Sequence, residues 1–192
     1  MAEMDNSSNV MATAELIKNK LIVWDEEEAK TIFEEKFFGK YIEEEKTVFL
    51  QLSLEEGMIL LEREHINILD KKKKITVKKF YTLCCEMDPE FPQKYTVYRD
   101  LRNRGFIVKS GFKFGTHFRV YNRGVNPYKS GSKELKEHTK YNVHAVPENY
   151  AHSYQEWSRY VRLSQNIRAK ALLAVVDEES DVTYYVITRI RP

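Results

Sequence analysis

"YRDLRNRGFIVKSGFKFGTHFRVYNRG", residues 98–124, decides how the second half of this chain folds. Its start continues a helix from "KYTVYRDLRN", and Gly105 supplies the stop that helix C-termini favour. The rest reads as two strands around Ser110-Gly111. From Gly111 to Tyr121 aromatic and basic residues interleave: Phe112, Phe114 and Phe118 with Lys113, His117 and Arg119. The three phenylalanines are read as facing a core, with Lys113, Thr116 and Arg119 on the opposite side. The alternation breaks near Gly115, which predicts a bulge or bend. Tyr121 is delivered at the strand's open end, so this strand is half core and half something else.

Working outward, "VNPYKSGSKELKE" is a loop and "HTKYNVHAVPE" a strand ended by Pro147. "SYQEWSRYVRLSQNIR" is an amphipathic helix, with Trp157, Tyr160, Val161 and Ser164 at helical spacing. "KALLAVVD" is a buried-type strand, "EESD" an acidic turn and "VTYYVITRIR" the last strand. Upstream, Pro89 and Pro92 in "MDPEFPQK" mark a linker. Before it come a strand in "KLIVWD", a helix in "EEEAKTIFEEKFFG" ended by Gly39, and a strand in "TVFLQLS". "SLEEGMILLEREHINIL" then reads as a helix opened by a Ser53–Glu56 capping box. The four lysines 71–74 form a solvated turn before the helix of "KKFYTLCCEMD". These elements predict an α/β (α+β) fold with a frayed N-terminus (1–12), a small mixed N-terminal domain (13–88) and a C-terminal domain (93–192). The latter has a central mixed sheet flanked by helices.

Charge is nearly balanced, 31 Lys and Arg against 29 Asp and Glu, so its total favours no class of partner. Its distribution does. Acidic runs lie at Asp25–Glu28 and Glu43–Glu45, while Lys94, Arg99, Arg102, Arg104, Lys109, Lys113, Arg119 and Arg123 crowd one later stretch. That asymmetry permits binding of a polyanion by the second half. The two cysteines, Cys84 and Cys85, are adjacent and have no CxxC or paired His/Cys spacing. They predict neither a disulfide nor a metal site. No apolar run reaches the ~20 residues of a membrane span, and the start lacks a signal-peptide pattern. A cytoplasmic protein without membrane contact or metal is the expectation.

Three segments then add up: residues 98–124, "HTKYNVHAV" (138–146) and "VRLSQNIRAKALLAVVDEESDVTYYVITRI" (161–190). Together they resemble the C-terminal catalytic domain of the archaeal tRNA-splicing endonucleases. "LIVWD" and "FLQLSLEEGMILLE" are similar to that family's smaller N-terminal domain, so the resemblance runs from about residue 20 onward. It implies a nuclease-like C-terminal domain that cuts precursor tRNA at a bulge–helix–bulge, without a metal or other cofactor. The products would carry 2′,3′-cyclic phosphate and 5′-hydroxyl ends. The family's tyrosine falls on Tyr121 and its histidine on His138, opening the next strand. Its lysine falls one residue after Arg168, where this chain has Ala169. The resemblance further implies that Arg162 and Arg189 hold a bulged base between them. Asp177, Glu178, Glu179 and Asp181 would dock into a neighbouring subunit, and the last strand would pair with its copy in a tetramer of one or two kinds of chain.

The chemistry accounts for the residue types. Attack of an RNA 2′-hydroxyl on its own phosphate needs a base, an acid at the departing oxygen, and positive charge at the phosphoryl oxygens. A tyrosine serves as base where cations surround it, and a histidine titrates close enough to neutrality to serve as acid. Flat guanidinium groups stack on any base, which suits an enzyme that reads RNA shape. Tyr121 and His138 with Ala169 imply an impaired enzyme, either an inactivated variant or a member using another cation. Lys170 leaves the chain in a different direction from residue 169. Outside the resemblance, a tyrosine ending a strand is ordinarily a packing residue and a histidine after "KE" a surface one. His117 and His144 compete as acids but read more simply as strand residues. Two other readings stay open: a noncatalytic RNA-binding subunit of the same assembly, and a winged-helix module suggested by "YRDLRNRG" and its hairpin.

Overall fold

A computed structural model describes residues 10–44, 47–111, 115–132 and 134–190. The chain divides into two compact units, Met1–Pro89 and Glu90–Pro192.

In the first unit the strands are β1 (Ala12–Ile17), β2 (Lys20–Val23), β3 (Lys40–Glu44), β4 (Thr47–Leu52), β5 (Ile66–Asp70) and β6 (Lys73–Lys74). They form one mixed sheet in the order β3-β4-β2-β1-β5-β6, parallel only between β1 and β5. Helices α1 (Glu26–Lys36), α2 (Leu54–Glu62) and α3 (Val77–Met87) complete it. The capping box opening α2 is formed, with Ser53 and Glu56 each accepting the other's backbone N–H. Gly57 lets α2 approach β2, because a Cβ there would fall 1.8 Å from a Leu21 methyl. Burial pushes the Cys84 thiol up to about 12, which leaves it inert at neutral pH.

Three expectations are corrected in this unit. β1 starts at Ala12, inside the stretch read as frayed. The run 53–69 holds a helix and a strand, α2 and β5, rather than one helix. The residue ending α1 is Phe37, at φ 56°, rather than Gly39.

The second unit contains α4 (Phe91–Asn103), β7 (Ile107–Ser110), β8 (Phe118–Tyr121), β9 (Tyr141–Pro147), α5 (Tyr154–Asn166), β10 (Lys170–Val176) and β11 (Val182–Ile187). Its sheet runs β11-β10-β9-β8-β7 and is mixed, since β9 and β10 are parallel. Helices cover both faces. Phe118 packs on Tyr98 of α4, and its partner across the ladder, Val143, shares that face. Asn142, which alternation turns to the other face, bonds Ser164 of α5. The β7–β8 hairpin is therefore part of a five-stranded sheet, not a free wing. Pro92 stands in the first turn of α4, where a missing N–H costs nothing, so the linker ends before it. The strand read from Gly111 to Tyr121 is regular only over Phe118–Tyr121. Gly115, at φ 65°, breaks it, and Phe112, Lys113 and Phe114 lie outside the described residues. Among the described residues, no helix is long and apolar enough to cross a membrane.

Candidate functional site

Hydrogen bonds gather three separate chain segments at one end of the second sheet. β8 ends at Tyr121, opposite Ile107 and almost fully buried. Just beyond, the Asn122 side-chain amide donates to the Lys136 carbonyl at 3.1 Å. Lys136 lies in a 3₁₀ turn, Leu135–Glu137. That turn is fixed by Glu137, whose carboxylate accepts from Lys129 at 2.6 Å and from the Glu134 backbone at 2.7 Å. His138 follows at once and is half-buried. The backbone after Tyr121 thus lies against the turn that presents His138. Contrary to expectation, His138 does not open a strand; β9 begins three residues later.

The third segment arrives by a helix end. The Arg168 N–H donates to the Gln165 carbonyl at 2.9 Å and the Ala169 N–H to the Ser164 carbonyl at 3.0 Å. With Arg168 at φ 58°, this is a Schellman ending, and Ala169 emerges from it into β10. Lys140 then joins the segments: its N–H donates to Val120 at 2.7 Å and its carbonyl accepts from Lys170 at 3.0 Å. The Ala169 methyl is buried, whereas Lys170, paired with Tyr141, is exposed.

A cleft of about 350 Å³ opens along α5, lined by Arg159, Arg162, Leu163, Gln165, Asn166 and Arg189. It brings together Arg162 and Arg189, which lie far apart in sequence. Arg189 is two residues past the end of β11, not in the strand. Arg159, Gln165 and Asn166 were not anticipated. Arg159, Arg162 and Asn166 recur at i, i+3 and i+7, the spacing of one helix face, and that was the available signal.

Behind the cleft runs a buried polar chain. Thr116 donates to Asn142 at 2.6 Å, Asn142 to Ser164 at 3.0 Å, and Ser164 to the Tyr160 carbonyl at 3.0 Å. The Tyr160 hydroxyl, its pKa raised by burial, reaches the Asn142 and Leu172 carbonyls. Thr116 therefore lies on the α5 face, away from Phe118 as read, but it is buried there rather than open to a ligand. His117 is also tied inward, accepting from the Ala145 N–H at 3.0 Å and stacking on His144 at 4.5 Å. Burial, with His152 beside it, holds the His144 pKa below its ordinary value. In the acidic turn, the Asp177 carboxylate accepts from the Glu179 and Asp181 N–H groups, while Glu178, Glu179 and Asp181 are exposed. Tyr185 and Val186, on opposite faces of the edge strand β11, are each about half exposed. Among the described residues, no group of three or more His, Cys, Asp or Glu could hold a metal ion.

Comparison with known proteins gives two matching family models. "tRNA intron endonuclease, N-terminal domain" matches residues 12–81, and "tRNA intron endonuclease, catalytic C-terminal domain" matches residues 91–184. A protein of Thermococcus gammatolerans named "tRNA-splicing endonuclease" is 39% identical over 167 residues, 87% of this chain and 91% of its own length. One of the same name from Thermococcus kodakarensis is 38% identical over the same shares. The relative from Methanococcoides burtonii, also so named, is 36% identical over 95% of this chain, which spans only half the relative's length.

Proposed function

Because this chain belongs to the tRNA intron endonuclease family, we propose that it cuts introns from precursor tRNA at bulge–helix–bulge sites without a metal. The observation that carries this reading is the meeting of the segments bearing Tyr121, His138 and Ala169 at one sheet end. An arginine-lined cleft lies on the helix that leads to Ala169.

In the proposed reaction the 2′-oxygen beside the splice site attacks its own phosphorus. Tyr121 accepts the 2′-hydroxyl proton as the new O–P bond forms. His138 delivers a proton to the 5′-oxygen as the P–O5′ bond breaks, leaving a cyclic phosphate and a 5′-hydroxyl. Arg162 and Arg189 hold a bulged base between their guanidinium planes, and the width of that clamp, rather than base-edge contacts, selects the substrate. A methyl at position 169 supplies no charge to the phosphate. Removing one such stabiliser costs roughly 3–4 kcal/mol, a 100- to 1000-fold loss in rate.

The deciding measurement is single-turnover cleavage of a bulge–helix–bulge RNA in EDTA by this chain and by Ala169→Lys. The lysine variant is expected to cut at least 100-fold faster, with cyclic phosphate ends. Binding without cutting by both would favour the second reading, a noncatalytic RNA-binding subunit, which the missing lysine specifically suggests. The exposed acidic turn and the exposed apolar side chains of the edge strand β11 support assembly with further copies or a second kind of subunit, as a tetramer. Asp181→Lys together with Glu179→Lys is expected to lower the mass measured by light scattering. An unchanged mass would remove the acidic turn from the interface.

A further inference from the structure

Alternation along β8 places Arg119 and Tyr121 on the same side of the strand, and the Arg119 guanidinium carbon lies 6.0 Å from the centre of the Tyr121 ring. Arg119 is directed there by its own anchoring: its Nε donates to the Ser110 carbonyl at 3.1 Å. That bond fixes the plane of a group whose fork geometry matches phosphate oxygens. Directly across the ladder from Arg119 stands Lys109, a second cation on the same face. Lys109 is buried, with its ammonium 5.3 Å from the Tyr128 ring.

We infer that Arg119 is a further catalytic residue, supplying to the scissile phosphate the positive charge that Ala169 cannot, with Lys109 reinforcing the local potential. The inference rests on the cleavage reaction proposed above. A phosphate whose 2′-oxygen meets the Tyr121 hydroxyl lies beside the ring over which Arg119 is held. Two other cations flank these segments. Lys170 is exposed one position beyond Ala169, and the Lys140 ammonium lies 5.1 Å from the centres of the Phe106 and Tyr141 rings.

Single-turnover cleavage and RNA affinity should be measured for the full chain, Arg119→Gln, Lys140→Gln, Ala169→Lys and the Arg119→Gln/Ala169→Lys double variant. The original chain is expected to cut slowly, and Arg119→Gln to lose a further 100-fold or more with affinity changed less than about threefold. Ala169→Lys in the Arg119→Gln background is expected to recover that loss, because a charge restored from another strand cannot repair a folding defect. Lys140→Gln is expected to cut at the original rate. The inference is overturned if Arg119→Gln cuts as fast as the original chain, if its loss is not recovered by the lysine, or if Lys140→Gln carries the loss instead. A chain that cuts only once Ala169 becomes lysine also overturns it, while leaving the cleavage reading intact. If no variant cuts, both fall together.

Discussion

Arg168 pays a conformational cost to place Ala169 where it is. A non-glycine residue at φ 58° is unfavourable, because its Cβ crowds the following carbonyl. The Schellman bonds to Ser164 and Gln165 hold it there. Arg168→Gly is expected to raise stability by about 0.5–1 kcal/mol, the usual scale for relieving a left-handed residue less the added freedom of the unfolded chain. Urea unfolding with an unchanged m-value checks this, and a loss of stability would show that the arginine side chain makes a compensating contact. The same motif ends α2 and α4, with Glu64 at φ 58° and Gly105 at φ 85° in the equivalent place. This explains which helix ends the sequence revealed. Gly105 announced its turn because glycine is the residue that adopts it freely. Glu64 carries no such signal, so α2 and β5 ran together. The proposal for Tyr121 and His138 rests on the resemblance, since neither residue type at a strand end or turn by itself implies chemistry. Arg119's approach to Tyr121 follows the strand's parity, but its anchoring on the Ser110 carbonyl is something no sequence pattern displays.

Among the elements, the β7–β8 connection departs most from its sequence pattern. Alternating aromatic and basic residues specify which face each side chain takes only while the backbone stays extended, and Gly115 ends that condition. The two described ends of the connection are instead tied to each other and to β9. The Gly111 N–H donates to the His117 carbonyl at 2.9 Å, and Thr116 turns inward to Asn142. Gly111 has no room for a side chain: a Cβ would stand 2.4 Å from the Thr116 hydroxyl and 2.8 Å from its carbonyl oxygen. Gly111→Ala is therefore expected to cost about 1–3 kcal/mol by forcing backbone to move, which chemical denaturation can measure. A neutral effect would mean the connection shifts at little cost. A second tie fixes β11 to α4. Tyr184, its pKa raised by burial and by its bond to Asp100, donates to that carboxylate at 2.7 Å, and Arg104 does so at 2.8 Å. Tyr184→Phe removes one bond to a charged acceptor that keeps its other partner. The expected loss is about 1.5–2 kcal/mol, read in the same way.

At the scale of the whole molecule, the alternation of strands and helices was enough to foresee the central mixed sheet of the second unit, because burial of one face per element dictates it, whereas only two of the first unit's six described strands were read. What it could not foresee is the cluster at the end of α5 opposite the candidate site. There His144 stacks on His117, its Nε2 lies 3.4 Å from the Tyr150 hydroxyl, and that hydroxyl lies 2.8 Å from His152. Glu90 approaches His117 at 3.7 Å and Glu156 approaches His152 at 3.5 Å. Lys94 adds a further charge that disfavours protonation of His144. Burial is the largest cause of that group's lowered pKa, so the folded chain binds its proton less readily than the unfolded chain does. Stability from this site is therefore full above the ordinary histidine pKa of about 6.5 and is lost as pH falls from there toward the folded value. The melting temperature of the full chain is expected to drop between about pH 7.5 and 5. His144→Phe, which keeps a ring in the stack and removes the titration, should flatten that slope while His117 and His152 remain. If the variant's slope equals the parent's, the acid sensitivity belongs to other groups, and burial of His144 costs the fold too little on protonation to be measured.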